Sequence, residues 1–221
     1  MSYKSDFIVV GSAIVVLATA YKLHLKFPDQ SILIWEKEPK IGLHQTGRNS
    51  GVMHSGIYYK PGSYKAKNCK IGSAQLIKFA IENNIKHDVC GKVIVASSKE
   101  ELPVLEDIYQ RGIQNETPGI CYLTSEEIKQ KEPFIEGIKG IWVPTAGIID
   151  YVAVCEAFVD QITAINVESK LIKSCEVLEV MAESNSTTLK KSQGNFMADQ
   201  IFFWTRLQFD RIAEKDALKL A

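Results

Sequence analysis

No two of the five cysteines (Cys69, Cys90, Cys121, Cys155 and Cys175) fall at CxxC or CxxxxC spacing, which excludes a zinc finger or a dithiol redox centre. A scattered, odd-numbered set reads as reduced thiols. The four histidines, His24, His44, His54 and His87, show neither HxH nor HExxH spacing, so no metal is expected. Lys+Arg and Asp+Glu are equal at 26 each with no long run of one sign, which leaves no field for a polyanion and argues against nucleic acid as a partner. No apolar run reaches the roughly 20 residues that cross a bilayer. The expected location is therefore cytoplasmic, with or without peripheral membrane contact. Internal repeats and low-complexity tracts are also missing, which excludes a solenoid.

What is present is ordinary globular material: 221 residues, 46% hydrophobic and 24% charged, enough for one large or two small domains. Phe7 to Tyr21 is nearly all apolar, follows Lys4 and contains Ala18-Thr19-Ala20, as a signal peptide would. Asp6 in the would-be basic region opposes that reading, and the same residues have a folded explanation. Asp6–Val10 is a β-branched, aromatic run ended by Gly11; residues 12–27 carry apolar positions at helical spacing until Pro28; Ser31–Glu36 is a second apolar strand. The unit is βαβ and implies a parallel sheet.

Residues 39–63 are rich in Gly, Ser, Asn and His with little periodicity, which predicts a long structured loop. A helix is expected over Tyr64–Asn83 and a strand over Lys92–Ala96. Ser98 and Glu101 have capping-box spacing for a helix running to Gly112, although Pro103 argues for a later start. Thr124 and Glu127 repeat the signal for a short helix stopped by Pro133. Gly140–Val143 reads as a strand and Tyr151–Ala164 as a helix. Leu171-Ile172, Cys175–Met181 and Thr187–Leu189 read as a small antiparallel element with a turn at Glu183–Ser186, and Gln200–Trp204 as the last strand.

A dinucleotide site at the first βα turn needs three small positions: one for the turn, one where backbone meets pyrophosphate, and one where helix packs on strand. Here they are Gly11, Ala13 and Val16, a poor GxGxxG match. Context favours the site nonetheless, because the turn follows a strand and opens a helix, and Glu36 stands where a carboxylate accepts ribose hydroxyls. The plainer alternative for Glu36 is a solvated strand end. The segment His44–Ser63 offers glycines for close backbone approach, Thr46, Asn49 and Ser50 as short hydrogen-bonding groups, and Arg48 and Lys60 as charge for phosphate or carboxylate. His44 and His54 are the histidines placed where a general base is useful, and a polar surface loop is the plainer alternative.

The segment His44-Gln45-Thr46-Gly47-Arg48-Asn49-Ser50-Gly51-Val52-Met53-His54-Ser55-Gly56-Ile57-Tyr58-Tyr59-Lys60-Pro61-Gly62-Ser63 resembles the flavin-facing loop of the L-2-hydroxyglutarate oxidase/dehydrogenase family, within the D-amino-acid-oxidase-like flavoproteins. Cys90–Ala96, Lys131-Glu132-Pro133 and Gly147–Tyr151 follow in that family's order and spacing. The resemblance covers essentially the whole chain and places it in the family's N-terminal half. It implies an α/β fold: a Rossmann-like FAD-binding βαβ domain with a partial α+β substrate domain inserted, C-terminally incomplete. Residues 1–85 would form the first part of the FAD domain, 86–147 a substrate-domain segment and 148–221 the second part of the FAD domain.

The resemblance further implies FAD held by Gly11, Ser12, Ala13, Ile14, Glu36, Lys37, Thr46, Arg48, Asn49, Ser50, Gly51 and Val177. The expected reaction is oxidation of L-2-hydroxyglutarate, a 2-hydroxy acid, to 2-oxoglutarate, with electrons passing to oxygen or a quinone. His54, then His44, are the candidate bases; Arg48 joins them in the catalytic set, and Tyr58, Tyr59 and Lys60 are candidate substrate contacts. The chain departs from the family at two loops. Its first turn reads Gly11-Ser12-Ala13-Ile14-Val15-Val16 where the family has a pattern like GGGIVG, and Phe203-Trp204-Thr205-Arg206-Leu207 puts Arg206 where the family has a glycine. Val16 brings a branched side chain to the tightest helix–strand contact, where overpacking would push the helix outward. Two alternatives therefore stay open: a non-catalytic relative that binds no FAD, and a related flavoenzyme for an amino acid, an amine or glycerol 3-phosphate.

Overall fold

The structure is a computed structural model; it describes residues 3–182, 187–191 and 194–203. The chain forms two compact units, one from residues 1–49 with 151–221 and one from residues 50–150. The sequence-based division falls elsewhere, at 85/86 and 147/148.

The first unit begins as the hydrophobic pattern requires. Strand β1 (Tyr3–Val10), helix α1 (Ile14–Lys26) and strand β2 (Ile32–Trp35) make the βαβ unit, with β1 and β2 parallel and Phe7 opposite Ile32 through Val10 opposite Trp35. The apolar stretch that resembles a signal peptide is thus divided between a central strand and its crossover helix. Because side chains alternate along a strand, Ile8, Val10, Leu33 and Trp35 share one face; they form a core with Cys175, Phe196 and Ala198. Trp35 meets Phe196 edge to face with ring centroids 4.9 Å apart. Phe7 and Val9 face the opposite side, where Phe27, just past the end of α1, lies 5.9 Å from Phe7.

The second unit carries two small sheets. Strand β3 (Val52–Met53) is followed by helix α2 (Tyr64–Glu82), strand β4 (His87–Asp88) and strand β5 (Lys92–Ala96). After a 3-10 turn at Lys99–Glu101 come helix α3 (Leu102–Gln114), strand β6 (Cys121–Leu123), helix α4 (Ser125–Lys131), strand β7 (Lys139–Val143) and strand β8 (Gly147–Ile149). The sheets have the orders β3-β8-β4 and β5-β7-β6, antiparallel throughout. Helix α3 covers the second of them through Leu105, packed with Ile57, Ala96, Ile141 and Val143.

The chain then returns to the first unit through helix α5 (Tyr151–Ile165), which packs against α1; the Tyr21 and Phe158 rings meet tilted, 5.4 Å between centroids. Strands β9 (Lys170–Ile172), β10 (Glu179–Ala182), β11 (Thr187–Lys191) and β12 (Gly194–Phe203) complete a six-stranded sheet of order β10-β11-β12-β1-β2-β9. Its four parallel strands run β9-β2-β1-β12, third-second-first-fourth in chain order among themselves, which is the doubly wound arrangement. The fold class is α/β.

Several local expectations are corrected. Leu171-Ile172 does not join a small antiparallel element; β9 pairs parallel with β2, because α5 returns the chain in the same direction. Strand β10 starts at Glu179 rather than Cys175, whose side chain is buried in the core below Trp35 and Phe196. The loop expected across residues 39–63 contains the two-residue strand β3. Ser98 makes no side-chain cap: Glu101 instead accepts hydrogen bonds from Ser97 N and Oγ, and α3 starts after it with Pro103 in its first turn. The Glu183–Ser186 turn and the segment Trp204–Leu207, with Arg206, lie outside the described residues.

Candidate functional site

In the first unit the candidate cofactor residues gather at the carboxyl end of β1. Gly11 takes φ +114°, open to glycine and rarely to other residues, and its amide donates to Trp35 O at 2.7 Å. Ser12 is buried and donates its hydroxyl to Glu36 Oε2 at 2.5 Å; Glu36 Oε1 accepts from Glu38 N at 2.9 Å. Glu36 is only 8% exposed, so the solvated strand end is set aside. A carboxylate has room for about four acceptor contacts, so among the described residues each oxygen keeps a free lone pair.

Helix α1 starts at this turn without a cap of its own, since Ala13 is extended and has no polar side chain. Thr46 supplies one from the loop: its Oγ1 accepts from Ile14 N at 3.1 Å. The first intrahelical bond is Leu17 N to Ala13 O, and the first turn holds no acidic residue. The remaining first-turn amides therefore lack helical acceptors and suit an anion. Val16 is buried at 2% exposure with that first turn closed. A positive-φ glycine, uncapped amides and a buried carboxylate at the end of β2 are the groups a dinucleotide asks for, and these residues fit FAD.

The loop that brings Thr46 in is held by its own backbone. Gly42 has φ +67°, and a Cβ on Gly47 would come within 2.5 Å of Gly42 O. Asn49 Nδ2 donates to Gln45 O and Thr46 O, at 3.1 and 2.6 Å. Arg48 is exposed. His44 and Lys37 both reach Glu38 Oε1, at 3.0 and 3.5 Å, and the His44 hydrogen bond is the main cause holding the Glu38 carboxyl below its usual range. Val177 packs beside the core of the main sheet.

Ser50, Gly51, His54, Tyr58, Tyr59 and Lys60 belong to the second unit. Gly51, at φ +71°, accepts from Ile149 N through its carbonyl at 2.9 Å. Ile57 is fully buried in that unit's core, which turns its neighbours Tyr58 and Tyr59 toward the surface. Gly56, at φ +83°, makes the bend, with Cys69 directly behind it. Residues from distant parts of the sequence fix this loop: Asn115 Nδ2 donates to Tyr59 O at 2.9 Å, Arg111 Nη1 to Tyr58 O at 3.4 Å, and the Cys69 thiol to His54 O at 3.1 Å. The His54 ring is exposed. The Lys92 ammonium sits 4.3 Å from the centre of the Tyr58 ring. None of Cys69, Lys92, Arg111 or Asn115 is singled out by pattern; Lys92 alone lies in a segment carrying the family resemblance.

Among the described residues no group of three or more His, Cys, Asp and Glu side chains is placed to hold a metal, and none of the five cysteines is in a disulfide. No described helix is long and apolar enough to cross a membrane.

A doubly wound parallel sheet with a positive-φ turn and a buried acidic residue after its second strand defines a dinucleotide-binding protein. The chain belongs to the family of FAD dependent oxidoreductases, whose model matches residues 6–202. Among its relatives is the L-2-hydroxyglutarate dehydrogenase of Indibacter alkaliphilus, 37% identical over 94% of this chain and 51% of the relative. The mitochondrial L-2-hydroxyglutarate dehydrogenase of Homo sapiens is 47% identical over 69% of this chain and 33% of its own length. The chain thus spans a third to a half of these curated relatives. Of solved structures, glycine oxidase from Geobacillus kaustophilus superposes with a TM-score of 0.84 at 18% identity, covering 96% of this chain and 58% of that one. The L-alpha-glycerophosphate oxidase of Mycoplasma pneumoniae with FAD bound gives 0.79 at 22% identity, over 90% and 53%. At those identities the likeness is one of fold.

Proposed function

We propose that this chain holds FAD and contributes substrate contacts for the oxidation of L-2-hydroxyglutarate to 2-oxoglutarate, with oxygen or a quinone as the electron acceptor. The observation that carries this reading is the 37% identity to a protein of that named activity across 94% of the chain. FAD, when bound, supplies the acceptor for the hydride leaving C2. In the first unit the amides of Val15 and Val16, beside the Gly11 turn, would face the pyrophosphate, Glu36 would take the ribose hydroxyls with Ser12 fixing its orientation, and Ile14, Lys37, Thr46, Arg48, Asn49 and Val177 would line the cofactor's approach. In the second unit Ser50 and Gly51 are the candidate cofactor contacts, His54 accepts the proton of the C2 hydroxyl, and Tyr58, Tyr59 and Lys60 hold the acid. His54 is preferred to His44 because the His44 ring is already committed to Glu38.

Purified chain equilibrated with FAD is expected to retain near-stoichiometric flavin absorbance and to bleach on anaerobic addition of L-2-hydroxyglutarate. His54→Ala should keep the flavin and slow bleaching by about a hundredfold, the usual scale for loss of a general base; a rate within about tenfold of the parent removes His54 from that role. Ala13 and Val16 at the fingerprint favour a second reading, a relative that has lost FAD. A colourless protein that takes up no added FAD would establish it.

A further inference from the structure

The second unit contains a cation that no assigned role explains. Lys92, at the start of β5, extends over the face of Tyr58, 4.3 Å from the ring centre, rather than into solvent. It is half-buried, and no carboxylate among the described residues lies within ion-pair distance of it. Burial pulls its ammonium below the usual lysine range, and the neighbouring Cys69 thiol, itself pushed up by burial, restores only part of that. Removing an ammonium from water without a counter-ion is costly, and an aromatic face compensates weakly. The surroundings are nevertheless built to hold this arrangement: Arg111 and Asn115 pin the carbonyls of Tyr58 and Tyr59, and Cys69 pins that of His54. A preorganised cation on a tyrosine face, lacking a partner of opposite charge among the described residues, has the character of an anion receptor.

We infer that Lys92, seated on Tyr58, receives a carboxylate of the acid that this chain helps to oxidise. This rests on the proposed function only for the identity of the acid. Lysine suits the task as a compact charge with three donors, and an incoming carboxylate would restore the partner that burial denies it. Lys92 is thereby a substrate-anchoring residue, distinct from His54, and Tyr58 acts through it by holding the ammonium in place.

The test uses non-oxidisable acids, so that binding is read without turnover. Glutarate, with two carboxylates, and butyrate, with one, are titrated by calorimetry into the FAD-equilibrated full chain and into Lys92→Met and Lys92→Arg. Lys92→Met keeps the apolar stem and should weaken glutarate at least about tenfold, the scale of a charge-assisted hydrogen bond. Lys92→Arg should restore most of that loss, and circular dichroism should show both variants folded. Glutarate binding equal in parent and Lys92→Met overturns the assignment and leaves the dicarboxylate reading standing. Butyrate binding as tightly as glutarate, with both lost in Lys92→Met, supports Lys92 and overturns the dicarboxylate reading. A parent that binds neither acid overturns the assignment.

Discussion

Gly11 stands alone at the turn after β1, where related folds use three glycines, and neighbouring residues supply what the missing ones would have left to the backbone. Thr46 caps the helix that Ala13 cannot, and Ser12 ties the turn to Glu36. Glu36 is the most informative of these side chains, because it is buried while each oxygen has one donor among the described residues. The second acceptor site on each oxygen is what a ribose diol would use. Glu36→Gln keeps the shape and loses the charge, and one charge-assisted hydrogen bond is worth about 1.5–3 kcal/mol. FAD affinity measured by fluorescence quenching should fall about tenfold or more, with little change in thermal stability of the FAD-free chain; unchanged affinity would mean that Glu36 serves the turn alone. Gly11 and Glu36 are legible in the sequence because strand, turn and helix lie within one short stretch. Lys92, Cys69, Arg111 and Asn115 are not, since their convergence on residues 54–59 depends on sheet and helix packing across long sequence separations.

The elements show the same division between local and distant information. Helices were readable from their apolar period and their end signals, and α4 is the clearest case: Thr124 Oγ1 accepts from Glu127 N while Glu127 Oε2 accepts from Thr124 N. Ser98 and Glu101 carry the same spacing without the serine side-chain cap, because Pro103 lets the helix begin later and Glu101 turns back chiefly to Ser97. Spacing therefore nominates a cap, and the backbone path decides whether it forms. Thr124→Ala should cost about 1 kcal/mol in urea unfolding followed by circular dichroism, whereas Ser98→Ala should fall within about 0.5 kcal/mol of the parent. Equal losses would show that the capping bonds in α4 contribute nothing. Strands β4 and β6 are not legible in the sequence because two or three residues carry no period, and they exist through their partners β8 and β7. The direction of β9 is likewise set by α5, not by its own three residues.

At the scale of the whole molecule, charge offers little protection against acid, since the formal net charge at pH 7 is zero and no general repulsion or attraction dominates. One buried group then stands out. His24, in the last turn of α1, is 0% exposed, and among the described residues neither ring nitrogen has a hydrogen-bond partner of normal geometry. Burial holds its pKa below the ordinary value of 6.5, with the backbone at Pro28 offsetting part of the effect. The unfolded chain therefore binds a proton near pH 6.5 that the folded chain resists, so stability is fully present above that pH and declines as pH falls through and below it. His24→Leu removes the titrating ring without stranding a partner, and a leucine suits the apolar site. Urea unfolding from pH 7.5 to pH 5 should show the difference between parent and variant growing in favour of the variant as pH falls. The other titrating groups are common to both proteins and cancel in that difference. A pH-independent difference would place the His24 ring in water or give it a hydrogen-bond partner, and the core around α1 and α5 would then need a different account.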